Sequence, residues 1–152
     1  MRSPLARCGL LAGWGLLAAA CGVGAVRVPV PTPDPAAARI CAGLRLPDRL
    51  HGEDRRSTEP ASPLVAAWGS PAIALRCGVG RPATLLPASE LVTINGVNWF
   101  PQPADRPITF TAVGRRAYVE VTVPAKYAPA GDVLIELTDM VKTVPEKPDG
   151  EL

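Results

Sequence analysis

The sequence predicts an α+β fold, a small antiparallel sheet of about five to seven strands with an N-terminal and a C-terminal helix packed on one face. Three observations carry this. Two amphipathic helical patterns lie at either end of the chain after residue 34, and between them run several short segments of alternating apolar residues. Within that region Asn95-Gly96 separates two apolar runs, and a type I′ hairpin turn needs positive φ at both of its central residues. The 18 prolines and 14 glycines among 152 residues agree, since they favour many short elements joined by turns over a helical bundle. An apolar content of 47% suffices for one compact domain and a targeting segment, and with 5% aromatics the core will be mostly aliphatic.

The chain divides into residues 1–26, a signal or membrane anchor; 27–34, a Pro-rich spacer; 35–144, the α+β domain; and 145–152, a loose charged tail. Met1 to Arg7 is basic, and the 19 residues from Cys8 to Val26 carry no charge before Arg27. Three outcomes stay open. The segment can remain as a transmembrane helix, with the arginines on the cytoplasmic side. It can be a lipoprotein signal cut before Cys21, whose thiol would then be lipidated, although Ala18 stands where a branched aliphatic is expected. Or it can be a secretory signal peptide cut after Ala20 or Ala25, both preceded by small residues. All three place the domain outside the cytoplasm.

Val28 to Pro35 alternates proline with other residues and predicts extended backbone. Asp34 is a suitable N-cap with Pro35 at the first helical position, so a helix is expected over about Pro35 to Leu46, with Ala37, Ala38, Cys41 and Leu44 on one face. The polar stretch from Leu50 to Thr58 reads as an edge strand or loop. Leu64 to Trp68 and Ala72 to Cys77 read as strands, with Ile73, Leu75 and Cys77 sharing a face. Leu91 to Ile94 and Val97 to Phe100 flank the Asn-Gly turn. Ile108 to Val113 and Ala117 to Val123 follow, the latter with Ala117, Val119, Val121 and Val123 inward. Asp132 is placed to cap a last helix ending near Thr143, with Val133, Leu137, Met140 and Val141 on its apolar side.

Charge argues against a nucleic-acid binder. The formal +2 comes from Arg2 and Arg7; the 16 basic residues less these two equal the 14 acidic ones, and the domain itself is neutral. Cys41 on the first helix and Cys77 on the sheet both point inward, and in an oxidising compartment they are expected to form a disulfide bond closing a loop of about 37 residues. The alternative is two buried thiols. There is no CxxC spacing, and one histidine with two domain cysteines is a poor ligand set for zinc, so neither a metal nor a cofactor is expected.

His51 can be drawn beside Ser57, Ser62 or Ser89, but no nucleophile elbow positions such a set. Gly78-Val79-Gly80 follows a strand, yet Arg81-Pro82 stand where a phosphate-binding helix would begin, and a strand-ending turn is preferred. Trp68 and Trp99, with Phe100 and with Arg76, Arg115 and Arg116, could form a ligand surface for a carboxylate or glycan. The competing reading makes the tryptophans core anchors and the arginines solvated.

The ordered motifs Cys41 to Pro47 (C-x5-LP), Glu59 to Pro63 (EPASP), Ala66 to Val79 (AAWGSPAIALRCGV), Ile94 to Phe100 (INGVNWF), Phe110 to Pro124 (FTAVGRRAYVEVTVP) and Tyr127-Ala128-Pro129 resemble the DUF3515 family over roughly Pro35 to Val144. The resemblance implies an uncharacterised, exported and membrane-associated domain of the cell envelope of high-GC Gram-positive bacteria. It also implies two characteristic cysteines, which match Cys41 and Cys77, and it brings no catalytic residues. The expectation is a non-catalytic accessory or interaction domain on the outer face of the cell membrane, partnered by an envelope protein. A binding module for a small cell-envelope ligand such as a peptidoglycan fragment is the alternative, and an extracytoplasmic hydrolase the second.

Overall fold

The computed structural model describes residues 24–106 and 108–152. The hydrophobic segment of the first 23 residues, and with it Cys21, lies outside the described residues. No described helix is long and apolar enough to cross a membrane.

The elements run β1 (Val26–Arg27), α1 (Pro35–Ala42), β2 (Arg49–Leu50), β3 (Glu53–Arg56), β4 (Thr58–Glu59), β5 (Val65–Trp68), β6 (Ile73–Val79), β7 (Val92–Ile94), β8 (Val97–Gln102), β9 (Thr109–Ala112), β10 (Tyr118–Thr122) and α2 (Ala130–Lys142), with 3-10 turns at Ala125–Tyr127 and Pro148–Gly150. The fold is α+β. One sheet has eight strands in the order β2-β3-β5-β6-β10-β9-β8-β7, one to three more than the sequence suggested, and a separate parallel pair joins β1 to β4. The strand beyond the expected range is the two-residue β2, which pairs with β3; β3 itself falls in the polar stretch expected as an edge strand or loop.

Local chemistry explains most boundaries. Asp34 Oδ1 accepts the N–H groups of Ala36 and Ala37 at 2.8 and 3.0 Å, a side-chain cap on α1. The helix stops at Ala42, four residues short of the expected Leu46, because Gly43 closes it with backbone bonds to Arg39 and Ile40. Asn95 and Gly96 have φ of 47° and 82°, as the β7–β8 turn requires. In α2 the cap is Pro129, and Asp132 lies inside the first turn, where its charge faces the positive end of the helix dipole.

The main core holds Ala37 and Cys41 of α1 and Val133, Leu134, Leu137 and Val141 of α2 together with Trp68, Ile73, Leu75, Val119 and Val121 of the sheet. The helices nevertheless do not pair with each other. α1 lies against β6, whereas α2 meets β7, β8 and the turn at Ala125–Tyr127. In a flat sheet with ~4.8 Å between strands, the β2–β3 and β7–β8 turns would be about 29 Å apart. Yet His51 in the first turn binds Glu136, and a methyl built on Gly96 in the second would come within 3.9 Å of Lys142 Cε. Those two helical residues are separated by only about 9 Å of rise. The sheet therefore curls around α2.

Its other face is covered as well. Val28 is buried among Val65 and Ala67, Arg76 Nε donates to the Pro29 carbonyl, and Arg56 donates to that of Gly24. The segment 27–34 is extended but docked, which corrects its reading as a spacer. The tail is docked too. Arg116 N–H donates to Pro145 O, Lys147 N–H to Gly114 O, and Leu152 packs on Leu85, Phe100, Val113 and Tyr118. Both segments look solvated in sequence because proline and charge dominate them, while their anchoring is by backbone groups and a few valines and leucines.

Three polar clamps hold the curled edge. Lys126 Nζ meets Glu53 Oε1 at 2.8 Å and the Ser70 carbonyl at 3.0 Å, and the Tyr127 hydroxyl donates to Pro71 O. His51 N–H and Nδ1 lie 2.8 and 3.1 Å from the Glu136 carboxylate. Gly69 has φ of 72°, and any Cβ there would sit 2.8 Å from the Glu53 side chain, so this turn needs glycine on two counts.

The two central tryptophans are both fully buried, yet differ in one bond. Trp68 Nε1 donates to Pro47 O at 2.9 Å, while Trp99 Nε1 has no partner. Trp68→Phe should therefore destabilise the domain by about 1–2 kcal/mol more than Trp99→Phe, because only the latter removes an unpaired buried donor along with ring area. Urea unfolding of both variants tests this, and equal losses would contradict it.

The Lys126 ammonium, by hydrogen bond and charge, holds the Glu53 carboxyl below its ordinary 4.5, and Glu53 and the Tyr127 hydroxyl hold Lys126 above its ordinary 10.5. The signs are opposite at the two ends of the scale. Glu53 contributes stability above its unfolded value, lost as pH falls through the folded one. Lys126 contributes below 10.5, lost as pH rises past the folded value. Thermal unfolding of the wild type and Lys126→Met across pH should show the gap between them flat in the neutral range and narrowing below the ordinary glutamate value. A constant gap down to strong acid would refute the coupling.

Candidate functional site

The residues that sequence pattern grouped as a ligand surface are not brought together. Trp68 and Trp99 have no exposure, because both project into the core that α2 covers. Arg115 is 4% exposed and donates to Val144 O at 2.8 Å, with Glu146 beside it, so it ties the tail to the β9–β10 turn. Arg76 faces the opposite side of the sheet from the core, paired with Glu120 at 2.9 Å. The Trp and Arg surface built on Trp68, Arg76, Trp99 and Arg115 is thereby corrected. Short strands read from sequence give a residue's face, but not whether that face is covered.

Cys41 and Cys77 are joined, with their Cα atoms 5.5 Å apart. The bond ties the inner face of α1 to the last inward residue of β6. Gly78 follows at φ 86°, and a Cβ on it would strike Pro33 at 2.8 Å and approach Cys41 Sγ at 3.5 Å. Only glycine lets the strand turn this close beneath the start of α1.

Beside that staple lies a groove of about 340 Å³ between Pro33 and Asp34, the Gly78-Val79-Gly80-Arg81 turn and the start of β10. Arg81, Arg116 and Lys147 line it with Tyr118. Lys147 Nζ donates to the Tyr118 hydroxyl at 2.9 Å and lies 4.8 Å above the ring centroid. Arg81 uses one N–H on the Leu85 carbonyl. The single carboxylate at the rim, Asp34, is engaged by two helix N–H groups, and these lower its pKa below the ordinary 3.8. Sequence reasoning missed this grouping. Gly78-Val79-Gly80 reads in sequence as a strand-ending turn, and the cations beside it come from positions 81, 116 and 147 and meet only in the fold.

His51, the one histidine, is turned toward Glu136, and its ring stands edge-on to Tyr127 at 6.0 Å. The Ser62 hydroxyl accepts from Leu64 N–H and that of Ser89 from Leu86 N–H, so each caps its own turn. Among the described residues no group of three or more His, Cys, Asp or Glu side chains is placed to hold a metal ion.

No curated protein matches this chain. No solved structure matches it either. A family described as a protein of unknown function, DUF3515, matches residues 7–149, which take in the disulfide, the groove and the curled sheet, and the chain belongs to that family.

Proposed function

We propose that this chain is a non-catalytic accessory and interaction domain, held on the outer face of the cytoplasmic membrane by its N-terminal segment and engaging an envelope partner at the groove beside α1. The observation that carries the reading is the Cys41–Cys77 disulfide, a bond that persists in oxidising compartments and is rare in reducing ones. It agrees with the 19 uncharged residues that precede Arg27. A guanidinium pair, an ammonium and a phenol suit the groove to holding a group rather than transforming one. In this reading both helices serve as cover for one face of the sheet. The docked Val26 to Val30 leaves little slack between bilayer and domain, so the groove is presented at a fixed height.

Two measurements test this. Protein recovered from the envelope should be lighter than its fully reduced form by the two thiol hydrogens, and Cys41→Ser with Cys77→Ser should lower stability by about 3–4 kcal/mol in the chain-entropy estimate. Reduced thiols at both positions would remove the main support. For the partner, a photo-cross-linking residue at the exposed Thr32 on the groove rim should give envelope adducts in living cells that the same residue at exposed Ile135 on α2 does not. Identical adducts from both positions, or none from Thr32, would sink the interaction role.

A further inference from the structure

We propose that the groove is an oxyanion site, taking a ligand that presents a carboxylate or phosphate group to Arg81, Arg116 and Lys147. The inference rests on reading the groove as the binding face and adds the chemistry of what enters it.

Three observations support it. The first is the charge arrangement. Some cations are matched within 4 Å, as in Arg49 with Asp54, Arg76 with Glu120, Arg115 with Glu146 and Lys126 with Glu53, while among the described residues others on the surface, such as Arg39 and Lys142, are not. Among the described residues Arg81 and Arg116 have no such carboxylate, and Lys147 has Glu151, at 3.9 Å and largely exposed, and an oxygen of Leu152 at 3.2 Å. Three cations thus converge on one concavity whose sole carboxylate is already engaged by the α1 backbone.

The second is donor geometry. A guanidinium offers a planar fork that matches the two oxygens of a carboxylate or phosphate. Arg81 spends one N–H on Leu85 O, and Lys147 spends two donors, on Tyr118 Oη and Leu152 O. Because the Tyr118 hydroxyl accepts from an ammonium, its own hydrogen is left to donate, and among the described residues no acceptor is paired with it.

The third is the floor. Gly78 and Gly80 carry no side chain, and a Cβ on Gly80 would meet nothing within 4 Å. The space at this point of the turn is open, and at about 340 Å³ the groove is at the lower end of the range of small-ligand sites. That suits one anionic group and its immediate neighbour, not a polyanion.

The test uses the full chain in phosphatidylcholine nanodiscs, titrated at constant ionic strength with inorganic phosphate or N-acetylglycine and followed by the amide and arginine Nε resonances. At least one of these probes, or phosphatidylglycerol in place of phosphatidylcholine, should shift Gly78 to Arg81 and Arg116 saturably. Arg81→Gln with Arg116→Gln should weaken that binding at least tenfold with the melting temperature unchanged. Gly80→Glu, which enters open space at a permitted φ, should abolish it by supplying a competing carboxylate. Absence of saturable shifts with both probes and with phosphatidylglycerol nanodiscs, or equal affinity in wild type and Gly80→Glu, would overturn the site. Shifts produced by phosphatidylglycerol nanodiscs alone assign the group to a lipid headgroup, and shifts from the soluble probes alone assign it to a soluble ligand. The envelope role stands or falls separately, on the Thr32 adducts.

Discussion

The Cys41–Cys77 bond is the constraint on which the rest of this structure depends. α1 has eight residues and fully buries only two of them, Ala37 and Cys41, and it is too short to be stable alone. The bond spans 36 positions and fixes the helix against β6 regardless. Once α1 is fixed, Pro33 must pass within van der Waals reach of Gly78, and the turn after β6 is forced to open away from the helix. The groove is the space this leaves. Its wall is therefore covalently braced, and its integrity is tied to the redox state of the compartment in which the domain works.

A second constraint comes from the sheet. All four residues of β5 are buried, alternating between the core under the helices and the layer of Val28 beneath. A strand buried on both faces needs a cover on each, and here one cover is made from the two ends of the described chain. The segment before α1 shields β5 and β6, and the tail after α2 shields Phe100, Val113 and Tyr118. Val26 to Val30 and the residues after Val144 are structural parts of the domain, and Lys147 reaches the groove because of it. A tail that swung loose would take one of the three cations with it.

What the sequence made legible follows from locality. The Asp34-Pro35 cap, the Asn95-Gly96 turn and the alternation of Ala117, Val119, Val121 and Val123 are each decided within a few residues, and each was found where expected. The inward aim of Cys41 and Cys77 was legible for the same reason. The failures are of the opposite kind. Arg115 and Arg116 are neighbours of identical chemistry in one turn, yet one is buried against Val144 O and the other is exposed at the groove. Trp68 and Trp99 are placed under α2 by an element more than thirty residues further on. Extended, proline-rich and charged segments were read as solvated because nothing in their own composition reveals a distant surface that needs covering.

The same logic explains how cations gather at the groove although the domain is neutral. Balance of 14 basic against 14 acidic residues is a property of composition and constrains no neighbour. In folded proteins a cation near a carboxylate is worth at most about 1 kcal/mol when exposed, so pairing is a weak bias that topology easily defeats. Convergence of three cations on one concavity, by contrast, is mildly unfavourable through mutual repulsion. Arg116 follows Arg115 at the turn and is exposed, and Arg81, after the end of β6, spends one N–H on the Leu85 carbonyl and keeps the rest of its fork free. Their arrangement around a braced concavity is best accounted for by a negative charge that enters from outside.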